Sequence, residues 1–463
     1  MHLMRLRNPR RKRAEEEKRN EDSAVGYEDA SAAPVAAPRY LRDTFVALRV
    51  RNFRLFWLGQ LISLSGTWMQ TIGQAWLVLN LTQSPFAVGT VTTLQFLPIT
   101  FLVLFGGVFA DRVPKRRFLV GTQSAAMLQA LVLGVLVSTG AVRIWHVYLL
   151  ALALGVNNAF DNPTRQAFVP EMVGRDLVAN AVALNSTLFN AARIVGPAIG
   201  GVTIATIGID GTFYLNAASF IPVIIALFMM RPAELFPVAK GEGKLFQQVR
   251  EGLNFAYRTP QVMLILIVLF FIGTFGYNFA TALPLLAKFV LNVGSVGFGV
   301  MTAVLGLGSL LAALAIAYTR RAGERQILLG GGVFSVLLIL VGLSHWLAIT
   351  LPLLVLLGFA SIVFTASANT RLQLLTPGHL RGRIMSLYVL LFAGTTPIGA
   401  FLLGNAAERI GVQPAVVAFG IISAAGVWLG ILYRAGRFSR TRGADSAPSP
   451  PAASANDRPI DRR

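Results

Sequence analysis

NPTRQAFVPEMVGRD, residues 162–176, returns in altered form as NTRLQLLTPGHLRGR, residues 369–383. Each copy follows a long apolar run and places Thr-Arg ahead of a proline and a later arginine. Thr164 and Thr370 lie 206 residues apart in a chain of 463. A second pair keeps the same order: SPFAVG (84–89) opens one apolar run and SVGFGV (295–300) opens another. A repeat at this spacing predicts two related halves of the same topology, joined by a long connection.

Composition sets the environment of those halves. Hydrophobic residues make up 54% of the chain and charged residues 13%, with a mean hydropathy of +0.62. A soluble domain carries about 25% charged residues, so this chain lacks the polar surface to cover a globule in water. Runs of about 20 apolar residues span a bilayer. Twelve such stretches occur: 53–80, 86–110, 117–139, 145–168, 177–207, 211–231, 261–290, 295–319, 326–344, 347–370, 381–408 and 413–433. The expected fold is an all-α membrane protein with twelve transmembrane helices in two six-helix bundles, 46–231 and 261–434. The connection, 232–260, places Leu245, Val249, Leu253 and Tyr257 at helical spacing, which predicts an amphipathic helix on the membrane surface. Residues 1–45 and 435–463 read as disordered cytoplasmic tails. The basic start has no apolar run behind it, so no cleaved signal peptide is expected there.

Orientation follows from the basic residues. With the N-terminus inside, the inner connections hold 17 of them, Arg165 and Arg175 included; Arg143, Lys288 and Arg409 fall on the other side. This bias predicts both termini in the cytoplasm. It also accounts for the net charge of +20 through topology and contact with anionic lipid, so no nucleic-acid partner is expected. Lysine supplies six of the 41 basic residues, a bias of GC-rich genomes that suggests the inner membrane of a bacterium. The chain has no cysteine, and His2, His146, His345 and His379 are scattered. No metal site, cofactor or phosphate-binding loop is expected, and no nucleophile–base pair sits in the spans, so an enzyme is not expected either.

Two short motifs carry a resemblance. GGVFADRVPKRR, 106–117, is a tight basic turn between the second and third spans. Gly107, Ala110, Asp111, Arg112, Lys115 and Arg116 match the loop motif of the major facilitator superfamily, with Phe109 and Pro114 departing from it. That resemblance implies an inner gate in which the Asp and Arg latch the two halves; the second-half counterpart, YTRRAGER, has no Asp. GPAIGG, with Gly196, Pro197, Gly200 and Gly201, resembles the fifth-span motif of drug/proton antiporters, although Ala192 replaces the usual first glycine. Small residues let helices approach closely, so tight packing explains the same pattern without any transport role. Longer stretches, WMQTIGQAWLVLNLTQSPFAVG and LRGRIMSLYVLLFAGTTPIGA among them, resemble the branch of enterobactin-exporter and macrolide-efflux proteins. The resemblance implies a secondary exporter of small amphipathic molecules, siderophore- or drug-like, working as a monomer by alternating access with proton coupling. An uptake permease or uniporter and a non-transporting sensor are the other readings.

Within the fifth span, LFNAARIVGPAIGGV (188–202) holds one arginine. Counted from Leu177, Arg193 lies about 24 Å along the helix, past the middle of a hydrocarbon layer about 30 Å thick. A charge at that depth faces a watery cavity or a partner, and Arg193 is read as holding an anionic group of the cargo. Gln70 and Gln74, one turn apart on the first span, Asn157 and Asn158 on the fourth, and Tyr277 and Asn278 on the seventh are the other cavity candidates; an interhelical hydrogen bond is the competing reading for each. The resemblance implies a cavity lined by spans one, four, seven and ten. Trp68, Trp76, Phe271 and Phe275 are read as packing or lipid-facing. Asp161, ahead of Asn162-Pro163, is the one acid in an inner or central part of a span, and reads as a proton carrier, a latch or a helix cap.

Overall fold

The computed structural model describes residues 45–110, 113–236, 245–319 and 323–445. Most of the two expected tails, together with Asp111 and Arg112 of the loop motif, lie outside the described residues. Among the described residues there is no strand. The first four long helices are α1 (Arg51–Thr82), α2 (Pro85–Ala110), α3 (Lys115–Ser138) and α4 (Ile144–Val173). Val178–Met229 then runs on with a single break at Gly208, whose φ of 85° and ψ of 172° are open to glycine and costly for other residues. The break divides it into α5 (178–207) and α6 (209–229). The connection holds the expected linker helix, Leu245–Arg258.

The second half repeats the pattern. It consists of α7 (Pro260–Val290), α8 (Ser295–Thr319), α9 (Glu324–Leu343), α10 (Leu347–Leu375), α11 (Gly378–Phe392 continued by Thr396–Ile410) and α12 (Val412–Asp445). The contacts repeat too: α2 packs on α4 as α8 packs on α10, and α3 packs on the α5–α6 stretch as α9 packs on α12. Nine described helices are long and apolar enough to cross a membrane, with α5 and α6 counted together. The two long helices outside that set are α1 and α4. They carry Gln60, Gln70 and Gln74, and Asn157, Asn158, Asp161 and Arg165, a concentration of amides and charges that lowers their apolar content.

Backbones meet where glycines face each other. A Cβ on Gly196 would lie 2.6 Å from Ser65 O, and one on Gly200 would lie 3.0 Å from Met69 O, so these two glycines seat α5 on α1. Gly201 faces the opposite way: a Cβ there would meet Ser295 O at 2.6 Å on α8. GPAIGG therefore serves two crossings at once, one inside the first half and one between the halves. At the other crossing between halves, α2 meets α11 through Gly89 and Gly404. Lipid offers no hydrophobic drive for helices to associate, so close van der Waals approach does that work.

Two expectations need correction. Arg165 is not in a connection; it belongs to α4, which continues to Val173. The seventh span is not one regular helix, since π-helical turns occupy Ile272–Gly276 and Leu286–Val290, and Tyr277 and Asn278 lie between helical segments. A π-turn adds a residue and rotates the face presented by the residues after it.

Candidate functional site

The polar load of α1 and α4 faces a cavity of about 420 Å³. Its walls are unlike. The first half contributes amides, hydroxyls and charges, among them Gln60, Gln70, Gln74, Gln95, Gln123, Gln129, Asn157, Asn158, Asn216, Asp161, Arg165 and Arg193. The second half contributes Tyr277, Phe279, Ala280, Leu283, Phe298, Thr302 and Leu305, a largely apolar surface. Residues of spans one, four and seven are among its lining. Among the described residues none from α10 lines it, while α2, α3, α5, α6 and α8 also contribute. Helix α10 stands behind the wall, where Ser361 O accepts a 2.6 Å hydrogen bond from the Tyr277 hydroxyl.

Arg193 reaches the cavity from α5. Its guanidinium lies 5.8 Å from the centre of the Trp68 ring, and Phe189 meets that ring edge-on at 5.7 Å. A cation over an indole face is held by the ring quadrupole without being neutralised. Among the described residues no carboxylate lies within ion-pair distance of Arg193. Trp68, read from sequence as packing or lipid-facing, packs on Phe189 and also lines the cavity.

The amides divide into tied and free. Gln70 donates to Gln129 Oε1 at 3.0 Å and accepts from Asn216 Nδ2 at 2.5 Å, so its polar atoms bridge α1, α3 and α6. Asn157 and Asn158 make no side-chain hydrogen bond among the described residues, and neither does Gln74 (all three line the cavity). Asn278 is a correction. It is buried outside the cavity lining, its Nδ2 donating to Thr274 O at 2.7 Å and its side chain packed against Gly399. The π-turn before it brings Tyr277 to the cavity and turns Asn278 toward α11.

Asp161 is 1% exposed and fully engaged. Oδ1 accepts from Thr122 Oγ1 at 2.6 Å and from Gln123 Nε2 at 2.8 Å; Oδ2 accepts from Arg165 NH2 at 2.5 Å. Sequence reasoning missed Arg165, because positive charge near a span end counts toward topology. The available signal was its spacing of four residues from Asp161, which puts the two on one helix face. At the described part of the loop motif, Lys115 pairs with Glu171 of α4 at 2.7 Å and Arg116 donates to Met230 O at 3.0 Å. Both contacts stay within the first half. Gly107 lies in the last turns of α2.

A bundle of long apolar helices in two like halves, enclosing a polar cavity where they meet, defines a membrane transporter of the major facilitator type. The chain belongs to the transmembrane secretion effector family of that superfamily, whose family model matches residues 42–458. It is 25% identical over 373 residues to the staphyloferrin A transporter of Staphylococcus aureus, covering 80% of this chain and 92% of the relative. It is 26% identical over 373 residues to the multidrug efflux pump Tap of Mycolicibacterium fortuitum, covering 77% and 89%. With the enterobactin exporter EntS of Escherichia coli it shares 25% over 411 residues, covering 88% and 95%. The fold is also that of a bacterial homologue of the human lysosomal transporter Spinster in its inward-facing, unoccupied conformation. That likeness has a TM-score of 0.63 at 14% identity and covers 87% of this chain and 98% of the other.

Proposed function

We propose that the protein is a secondary exporter of small amphipathic molecules that carry an anionic group, siderophore-like rather than cationic, working by alternating access as a monomer in the bacterial inner membrane with both termini cytoplasmic. The observation that carries this reading is Arg193, an arginine in the cavity that lies over Trp68 and has no acid within ion-pair distance among the described residues. A carboxylate or catecholate supplies the charge the cavity lacks, and Asn157, Asn158 and Gln74 supply hydrogen bonds to its oxygens. The apolar wall from α7 and α8 takes the rest of the cargo. The named relatives that move staphyloferrin A and enterobactin support this class, while the Tap relative supports a broader drug range. Proton antiport needs a group that titrates, and among the described residues that line the cavity Asp161 is the one acid. In this conformation it is locked to Arg165 and acts as a latch; it takes up a proton when that pair parts. The loop motif at Gly107, Asp111, Arg112, Lys115 and Arg116 gates the cytoplasmic side, and Gly196, Pro197, Gly200 and Gly201 form the pivot.

The test is transport into proteoliposomes under an imposed pH gradient, with a labelled catecholate siderophore, a macrolide and a cationic dye. The siderophore should move with the native protein. Arg193→Ala should reduce that movement at least about tenfold, the effect of losing one charge-assisted contact. Movement of the dye or macrolide alone, unaffected by Arg193→Ala, would sink the anionic reading.

A further inference from the structure

Arg193 is not the only cation on the cavity wall. Arg165 lines it from α4. Its NH1 donates to Gln60 Oε1 at 3.2 Å, and its NH2 donates to Asp161 Oδ2 at 2.5 Å and Asn162 Oδ1 at 2.9 Å. A guanidinium offers five N–H donors, so this arginine keeps donors in reserve. Asp161 has none of that freedom, since both its oxygens are taken by Thr122, Gln123 and Arg165.

Gln60 gives the cluster a direction. Arginine can only donate, so Gln60 turns its oxygen to Arg165 and its NH2 away from it. Gln60 lines the cavity but is only 1% exposed, and its Nε2, itself buried, has no hydrogen-bond partner among the described residues. The large majority of buried side-chain polar atoms in proteins are hydrogen-bonded. An unpaired donor in a residue that lines the cavity, beside a guanidinium with spare donors, points to an oxygen from outside the chain as its partner once the wall shifts to admit it.

We infer that Arg165 and Gln60 form a second anion subsite, so that the cavity selects a cargo with two carboxylate-type groups, one held at Arg193 and the other at Arg165–Gln60. The inference rests on the reading of Arg193 given above. Helices α4 and α5 run in opposite directions from the turn at Gly174, and at 1.5 Å per residue Arg165 and Arg193 differ in height by about 10 Å. Phe279, Leu283, Phe298 and Leu305 belong to the facing wall, so the part of the cargo between its charged ends is apolar.

Sebacate, an extended dicarboxylate of suitable length, and its monoamide, equal in length with one charge, are the probes. Binding is measured by titration calorimetry on the full chain in nanodiscs. Sebacate should bind the native protein at least about tenfold tighter than the monoamide. Gln60→Glu keeps the shape, pairs with Arg165 and removes the free donor; it should erase most of that tenfold advantage. Its melting temperature, read alongside, reports that the variant folds. Arg193→Ala should weaken both probes. Equal binding of the two probes to the native protein, or a folded Gln60→Glu variant that retains the advantage, overturns the second subsite, and a surviving Arg193 effect then leaves the first reading standing. Failure of Arg193→Ala to weaken either probe overturns the anionic reading itself and this inference with it.

Discussion

Asp161 shows how one carboxylate can hold three helices together. Thr122 and Gln123 reach it from α3 while Arg165 of its own helix donates to the other oxygen, and Gln60 of α1 accepts from that arginine. A buried charge pair adds little net stability, but removing one partner strands the other at a cost of about 3–5 kcal/mol. Asp161→Asn is therefore expected to lower the melting temperature sharply, because Arg165 loses its counter-charge. The double variant Asp161→Asn with Arg165→Gln should recover much of that loss, since neither charge is then left alone. Thermal unfolding of the three proteins in one detergent decides it: a double variant no more stable than the single one would count against this account. Transport adds a separate expectation. Asp161→Asn should stop cargo movement driven by a pH gradient while leaving exchange of cargo between the two sides measurable, provided Asp161 is the coupling acid.

Among the elements, stability lies in a few crossings where glycine brings backbone against backbone. Gly404 is one: a Cβ there would sit 2.8 Å from Gly89 Cα and 3.0 Å from Pro85 O. Neither neighbour is a side chain that can swing away. Gly404→Leu should destabilise the protein by about 1–3 kcal/mol, the usual cost of overpacking, and should push α2 from α11. Gly332 of α9, where an added Cβ would meet nothing within 4 Å, is the control, and Gly332→Ala should leave the melting temperature unchanged or slightly raised. The same elements show what a sequence can disclose. The apolar runs located the spans because burial in lipid demands unbroken hydrophobic length. Arg193 was legible because a charge at that depth is costly without a role. Arg165 and Gln60 were not, since each belongs to a helix whose register against its neighbours depends on long-range packing. Asn278 was misplaced for a related reason: a π-turn changes the face of every residue after it, and no residue type marks one.

At the scale of the whole molecule, side-chain hydrogen bonds join the halves along the α2–α11 seam, from the end where α1 turns into α2 down to Thr100 Oγ1, which donates to Gly394 O at 3.1 Å. Glu408 of α11 accepts from Ser84 Oγ at 2.8 Å and from Phe86 N at 3.1 Å, capping the N-terminus of α2 from across the boundary. Thr93 Oγ1 donates to Pro397 O at 3.1 Å, Ser295 Oγ donates to Gly201 O at 3.1 Å, and Phe86 packs edge-on to Phe401 at 5.6 Å. On the proposed orientation, with both termini cytoplasmic, this end is the outer one and these contacts close it. A carboxylate at a helix N-terminus is worth about 1 kcal/mol, which corresponds to about a fivefold shift between two states. Glu408→Gln should therefore raise the share of protein open at this end about fivefold. The absence of cysteine allows a direct readout. With Phe401→Cys as a reporter, labelling by an impermeant maleimide should quicken by about that factor when Glu408→Gln is added. Adding Phe86→Cys and bridging the two thiols with a short bifunctional reagent should stop transport, and a reducible bridge should restore it on cleavage. Transport that continues with the bridge in place would mean that this end need not open, and alternating access across this boundary would have to be given up.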